Sequence, residues 1–236
     1  MHANYEALKA VLAFFRKNKA ARFICCGDLV GYGPQPAECV REVMGLPGIS
    51  VVLGNHDAAV AGKMDLRWFN QNALTAIEFS QKKLSGVELA YLAALPDVVK
   101  TGDFTLVHGS PRKPLTEYLL SEHQFLENLA YWESSPCFIG HTHMPAYFRQ
   151  SADSAPETDF LRPMSKAMLA GVRYVLNPGS VGQPRDGDLR ASCGLYDSQK
   201  KSFELFRVDY DFSKTQELME AGGLPQVLIG RLAFGL

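Results

Sequence analysis

At 236 residues, 47% hydrophobic and 21% charged, the chain has the make-up of an ordinary globular protein with core enough for one large α/β domain. A net charge of -1 excludes an extended nucleic-acid surface but leaves room for a single phosphate pocket. No apolar run is long enough to span a bilayer and no leader peptide opens the chain, while five cysteines without a C-x-x-C pair read as reduced, buried thiols, so a cytoplasmic protein with no membrane partner is expected.

In chain order, Asn4 is an N-cap, and Tyr5, Leu8, Val11, Leu12 and Phe15 follow at i, i+3, i+4 spacing, which predicts an amphipathic helix ending in a basic turn near Lys17. Arg22–Cys26 reads as a buried strand ending at Gly27-Asp28, followed by the glycine-punctuated loop Leu29–Pro34. A short helix is expected from about Pro36 to Met44. The β-branched run Ile49–Leu53 is a second strand, ending at Gly54-Asn55-His56-Asp57, where Gly54 permits a sharp turn. From Ala58 to about Ala94 the pattern is helical and Pro96 stops it; region 58–95 reads as a cap that partly roofs a site. Asp97–Lys100 and Phe104–Val107 form a hairpin whose second strand runs into His108. Ser121 caps a helix to about Glu133, and Cys137–Ile139 is a strand delivering Gly140-His141-Thr142-His143. Ala146–Arg149 is a strand, Ser151–Pro163 a polar loop, and Val172–Leu176 a strand leading into Asn177. Ala191–Tyr196 and Ser202–Asp209 make a hairpin, and the tail from Ser213 is helical with a break at Gly222-Gly223. Strands alternate with helices early and hairpins come later, so a single domain over 1–236 with mixed sheets and outer helices is expected.

Asp28, Asn55, His108, His141 and His143 each stand directly after a predicted strand, and ligand sites of open α/β sheets gather outside the carboxyl ends of strands. Carboxylate, amide and imidazole without thiolate disfavour a structural zinc of the cysteine type. Counting His2, the set is too large for one four-coordinate ion and suits two metals sharing a carboxylate, about 3.5–4 Å apart, as in phosphoryl-transfer sites. His56 offers a proton near neutral pH, and Asp57 could hold its ring. Taken singly, Gly27-Asp28 is as well explained by a cap, and His108 by a satisfied buried histidine.

Gly27-Asp28, Gly54-Asn55-His56-Asp57, His108-Gly109 and Gly140-His141-Thr142-His143, in this order, resemble the motifs of the calcineurin-like metallophosphoesterases. Gly31-Tyr32-Gly33-Pro34 and the stretch Asn177–Asp188 are similar to the small prokaryotic branch of predicted phosphoesterases and phosphodiesterases, so the likeness covers most of the chain. It implies a four-layer αββα sandwich of two mixed sheets flanked by helices. It also implies Asp28 bridging two divalent ions, with Asn55, His108 and His141 completing one site and His143 and His2 the other. Manganese is favoured over iron, zinc or nickel. The implied reaction is hydrolysis of a phosphomonoester or phosphodiester, on a phosphorylated small molecule or nucleotide, by a hydroxide held between the metals. His56 then serves as proton donor oriented by Asp57, Arg185 grips a phosphate oxygen, and Tyr32 lines the pocket; a solvated Arg185 and a packing Tyr32 are equally open readings.

One departure stands out. The family's first motif is Asp-x-His at the end of a first strand, whereas here only Met1 precedes His2. The expectation is an upstream segment carrying that strand and aspartate, and weak binding of the first metal without it. The competing expectation is a catalytically impaired protein that keeps the pocket to bind a phosphorylated ligand.

Overall fold

The computed structural model describes residues 1–152, 154–163 and 165–236, with residues 165–167 by backbone alone. The first half of the chain holds α1 (Tyr5–Lys17), β1 (Ile24–Cys25), α2 (Pro36–Gly45), β2 (Ser50–Val51) and α3 (Asn55–Val60). A 3-10 turn at Leu66–Trp68 leads to α4 (Gln71–Lys83), α5 (Gly86–Ala94), β3 (Val98–Lys100) and β4 (Thr105–Val107). Then come α6 (Glu122–Asn128) with a 3-10 turn at Leu129–Tyr131, β5 (Cys137–Phe138), β6 (Ala146–Gln150), β7 (Glu157–Phe160) and β8 (Ser165–Ala167). The chain finishes with β9 (Arg173–Asn177), β10 (Ala191–Asp197), β11 (Ser202–Val208), α7 (Phe212–Ala221) and α8 (Gln226–Arg231).

Six strands form one mixed sheet in the order β3-β4-β5-β9-β6-β7, with β4, β5 and β9 parallel at its centre. These central strands bury both faces, which is why their sequences read as continuous apolar runs. Leu106, Phe138 and Leu176 point into a core shared with Val52, Phe203 and Leu205 of the facing layer. Their neighbours Val107, Cys137 and Val175 point the other way, onto Phe125 of α6 and Trp132. Burying each such side chain contributes about 1.5–3 kcal/mol. The facing layer is made of the parallel pair β1-β2 and the antiparallel sheet β10-β11-β8. Outside it, Leu8 and Leu12 of α1 and Val40 and Val43 of α2 pack against Val51 and Leu53. The molecule is thus an α/β sandwich with helices on the outside, as expected. Among the described residues, no helix is long and apolar enough to cross a membrane.

The facing layer is split. Among the described residues β1 pairs only with β2 and β10 only with β11, and between their free edges lies a cavity of about 760 Å³. Leu8, Val11 and Phe15 of α1 border it on one side, Phe138 and Phe203 on the other. α1 bridges the split, because Ala7 and Val11 also pack on Ala191 and Cys193 of β10.

Two expectations change. Helix α3 begins at Asn55 rather than after the motif, so Asn55, His56 and Asp57 are its first turn. Region 58–95 is helical as expected: the end of α3, a 3-10 turn and two helices, with Ile77 and Leu92 in the main core. Within Ser151–Pro163, residue 153 lies outside the described residues, while Glu157–Phe160 pairs antiparallel with β6 instead of looping. That strand is exposed along its length, and a polar edge strand carries no apolar alternation to announce it.

Candidate metal centre

The strands that carry the candidate ligands all end at one edge. Asp28 follows β1, Asn55 follows β2, His108 follows β4, and His141 and His143 follow β5. His2 reaches the same place through backbone bonds, from His2 N to Asp28 O and from Ala3 N to Leu29 O, each 2.8 Å. All six are buried.

Asp28 sits at the centre. Its Oδ1 accepts from His56 N at 2.9 Å, which fixes the carboxylate against the first turn of α3. Its Oδ2 lies 3.5 Å from His2 Nε2 and 3.3 Å from His108 Nε2. Two triads therefore share it: His2, Asp28 and His143, and Asp28, His108 and His141, with ligand atoms within 4.8 Å of one another in each. Asn55 joins the second triad, its Oδ1 lying 3.0 Å from His108 Nε2. Gly54 has an ordinary φ of -91°, so its turn does not require glycine. What requires it is approach: a Cβ there would collide with Asp28 Oδ1.

Tautomers follow from the outer partners. Nδ1 of His2 lies 3.2 Å from Val30 O, Nδ1 of His108 2.7 Å from Cys26 O, and Nδ1 of His143 2.8 Å from Gln183 O. A carbonyl only accepts, so each Nδ1 carries the proton and each Nε2 offers a lone pair inward. His2 Nε2 and His143 Nε2 then face each other at 2.9 Å, lone pair against lone pair. His108 Nε2 likewise turns its lone pair on Asn55 Oδ1 and Asp28 Oδ2, and lies 3.0 Å from His141 Nδ1. His141 Nε2 is buried without a hydrogen-bond partner among the described residues. Either a proton or a cation must separate such pairs, and protons are disfavoured. Burial lowers the pKa of His2 and His143 well below the ordinary value, and takes His108 to about 4 and His141 to about 3. Burial also pushes the Asp28 and Asp57 carboxyls up, Asp57 further by the charge of Asp28. A pocket that resists both imidazolium and paired carboxylates while aiming lone pairs inward suits a divalent cation.

The backbone is strained at the same residues. His2, Asp28, His141 and His143 hold φ values of 55, 52, 63 and 62°, and Tyr32 holds 60°. Left-handed backbone costs a non-glycine residue about 1–3 kcal/mol and clusters at functional sites.

Asp57 does not hold the His56 ring. Its Oδ1 accepts from Leu29 N at 2.8 Å and Val30 N at 3.1 Å, and its Oδ2 from Gly54 N at 3.1 Å. A carboxylate at the third position of a helix is well placed to take backbone donors, and this one braces the loop that carries Asp28. The His56 ring lies between Tyr32, at a centroid distance of 4.4 Å, and Phe69, at 5.1 Å. Its Nδ1 is sealed without a partner against Gly31, which leaves Nε2 for the cleft. Burial is the largest cause holding its pKa well below the ordinary value.

Arg185 and Tyr32 line the same cleft of about 260 Å³. The guanidinium lies 5.6 Å from the Tyr32 ring centre, and its terminal nitrogen donates to Gln183 Oε1 at 3.0 Å. Sequence reasoning missed several residues. Tyr118 stacks on His141 at 3.9 Å, and Asn177 Nδ2 donates to Gly140 O at 2.7 Å, shaping the turn that bears both histidines. Tyr118 follows no strand and belongs to no motif; Asn177 is a strand-end amide like Asn55, and that signal was available.

A family model for the calcineurin-like phosphoesterase superfamily domain matches residues 1–201. An uncharacterized protein of Methanocaldococcus jannaschii is 35% identical over 241 residues, spanning 100% of this chain and 95% of that protein. A symmetrical bis(5'-nucleosyl)-tetraphosphatase of Methylococcus capsulatus is 34% identical over 110 residues, 44% of this chain and 38% of that one. The crystal structure of a metallophosphoesterase from Sphaerobacter thermophilus matches with a TM-score of 0.87 at 40% identity, over 100% of this chain and 96% of that one.

Proposed function

The chain belongs to the calcineurin-like phosphoesterase superfamily, and from that premise we propose that it hydrolyses a phosphomonoester or phosphodiester at the Asp28 pocket with two divalent metal ions. The observation that carries the reading is the facing lone pairs of His2 and His143, 2.9 Å apart beside Asp28. His2, Asp28 and His143 would hold one ion; Asp28, Asn55, His108 and His141 would hold the other. The oxygen and imidazole donors suit manganese, iron, zinc or nickel, and manganese is the ion we favour. Such ions neutralise phosphate charge and lower the pKa of bound water.

The chain's own residues do the rest. Arg185, braced by Tyr32 and Gln183, turns its guanidinium to a phosphate oxygen. His56 Nε2 gives a proton to the leaving oxygen; the anionic substrate opposes the burial that otherwise keeps the ring neutral. Asp57 positions Asp28 through the backbone of Leu29 and Val30. The substrate is a phosphorylated small molecule or a nucleotide, the latter class being named for the Methylococcus relative. Five free cysteines support a reducing cytoplasm as its setting.

A second reading, a pocket that binds a phosphorylated ligand without turnover, draws on one asymmetry: the His2 triad offers three donors where the His108 set offers four. The test is hydrolysis of p-nitrophenyl phosphate and bis(p-nitrophenyl) phosphate by the manganese-loaded protein, its chelated form and the His108→Ala variant. Metal-dependent release lost in the variant is expected. Ligand binding without release from either ester would favour the second reading.

A further inference from the structure

The cleft beside Asp28 has a wall that hydrolysis by itself does not require. Met64, Trp68, Phe69 and Tyr118 line it opposite the polar set. Phe69 is committed to the His56 ring, and one face of Tyr118 is covered by His141. Tyr118 is nevertheless 45% exposed, so its other face is open, and Trp68 is 71% exposed with no ring packed on it among the described residues. A tryptophan left bare at the mouth of a buried polar pocket is the kind of exposed apolar surface that marks recognition.

The neighbouring polar group is equally specific. Asn70 caps α4 by accepting from Ala73 N through Oδ1 at 3.0 Å, which turns its amide nitrogen outward with no acceptor among the described residues. Arg67 nearby is tied up with Asp65 and adds no free cation. The wall therefore presents flat rings and one amide donor, which is good recognition for a planar heterocycle with an acceptor on its edge.

We propose that Trp68, the open face of Tyr118 and the Asn70 amide receive a nucleobase, so that the substrates are nucleoside phosphoesters; this rests on the phosphoester reading above. The chemistry divides between the two sides of the cleft. The phosphate goes to the Asp28 pocket and Arg185, and the base stacks on the aromatic wall.

Adenosine 5'-phosphate and ribose 5-phosphate share the sugar and the phosphate, a C1 hydroxyl standing in the latter where the base is, and make the test. The manganese-loaded protein is mixed rapidly with each, and tryptophan fluorescence is read in the first seconds. The other tryptophan, Trp132, is 1% exposed beneath the Arg173 guanidinium, so quenching on mixing reports Trp68. Quenching by the nucleotide and not by the sugar phosphate is expected, and its loss in Trp68→Phe with the base still bound more weakly in Trp68→Ala. In steady state, Trp68→Ala should raise KM for the nucleotide by roughly 5- to 100-fold, the equivalent of one lost base stack, with kcat and the sugar phosphate KM little changed. Equal quenching by both ligands, or an equal KM change for both, would overturn the base-binding wall. Absence of turnover on either ester, with base-dependent quenching intact, would leave the wall standing and remove the hydrolytic reading instead.

Discussion

Asp57 is fully buried and spends its carboxylate on three backbone donors, Leu29 N, Val30 N and Gly54 N. Asp57→Ala leaves all three without an acceptor in a site with no room for bulk water. Each stranded donor costs about 1–3 kcal/mol, and removing a charge that burial and Asp28 oppose offsets part of the sum, so the variant should lose roughly 3–6 kcal/mol of a total stability of about 5–15 kcal/mol. Asp57→Asn keeps an oxygen for Leu29 and Val30, gives up the bond to Gly54, and also removes a charge that burial and Asp28 oppose. Its loss should be about 1–2 kcal/mol. The assay is urea unfolding of the metal-free protein. With a slope near 3 kcal/mol per molar, the alanine variant's midpoint should fall by about 1–2 M and the asparagine variant's by about 0.5 M. An alanine midpoint within about 0.3 M of wild type would refute the reasoning, because these amides would then have found water.

Other outcomes follow from the same geometry. His56→Ala should retain its metal while turnover falls by about 10²-fold or more, measured by elemental analysis beside the rate; loss of metal would make His56 a ligand. Manganese titration by calorimetry should resolve two classes of site, the tighter matching the four donors around His108; Asn55→Ala should weaken that class alone. Burial would raise the Glu117 carboxyl, but hydrogen bonds from Arg112, Ser110 and Asn128 outweigh it and hold it at about 2. Because the folded value lies below the unfolded value of about 4.3, that stabilisation is present above pH 4.3 and is lost as pH falls through about 2. The unfolding difference between wild type and Glu117→Gln should therefore shrink from pH 5 to pH 2, and a constant difference would contradict it. Gly31→Ala, at φ +85° and with its Cβ driven into the His56 ring, should lower kcat and melting temperature while metal content holds.

Asp28, Asn55, His108, His141 and His143 were legible because they follow apolar runs, and burial of a run commits the polar residues after it to a strand end; His2, with only Met1 before it, was legible through the family resemblance alone. Helix α1 was legible from the spacing of Tyr5, Leu8, Val11, Leu12 and Phe15, which commits one face to the core. The two-residue extents of β1 and β2 were not, because the apolar runs that contain them continue past the last ladder bond. The role of Asp57 was misread because its partners, Leu29 and Val30, lie far off in sequence, and nothing local distinguishes an orienting carboxylate from a bracing one. Left-handed backbone at His141 and His143 is equally silent, since the residues that adopt it are not glycine. Trp68 went unread because an aromatic in a polar stretch has no periodicity; only its exposure identifies it.

The split between β1 and β10 bears on how the protein opens. A two-residue strand with one paired neighbour is a weak unit, and local opening begins where backbone bonds are fewest. Asp28 and Asn55 ride on that unit, whereas His108, His141 and His143 ride on the six-stranded sheet. Ions shared between the two groups would act as cross-links joining a loose plate to a firm one, and their binding energy would appear as resistance to local unfolding. Amide exchange in the Cys25–Val30 segment would then report metal occupancy more sharply than the melting of the whole molecule.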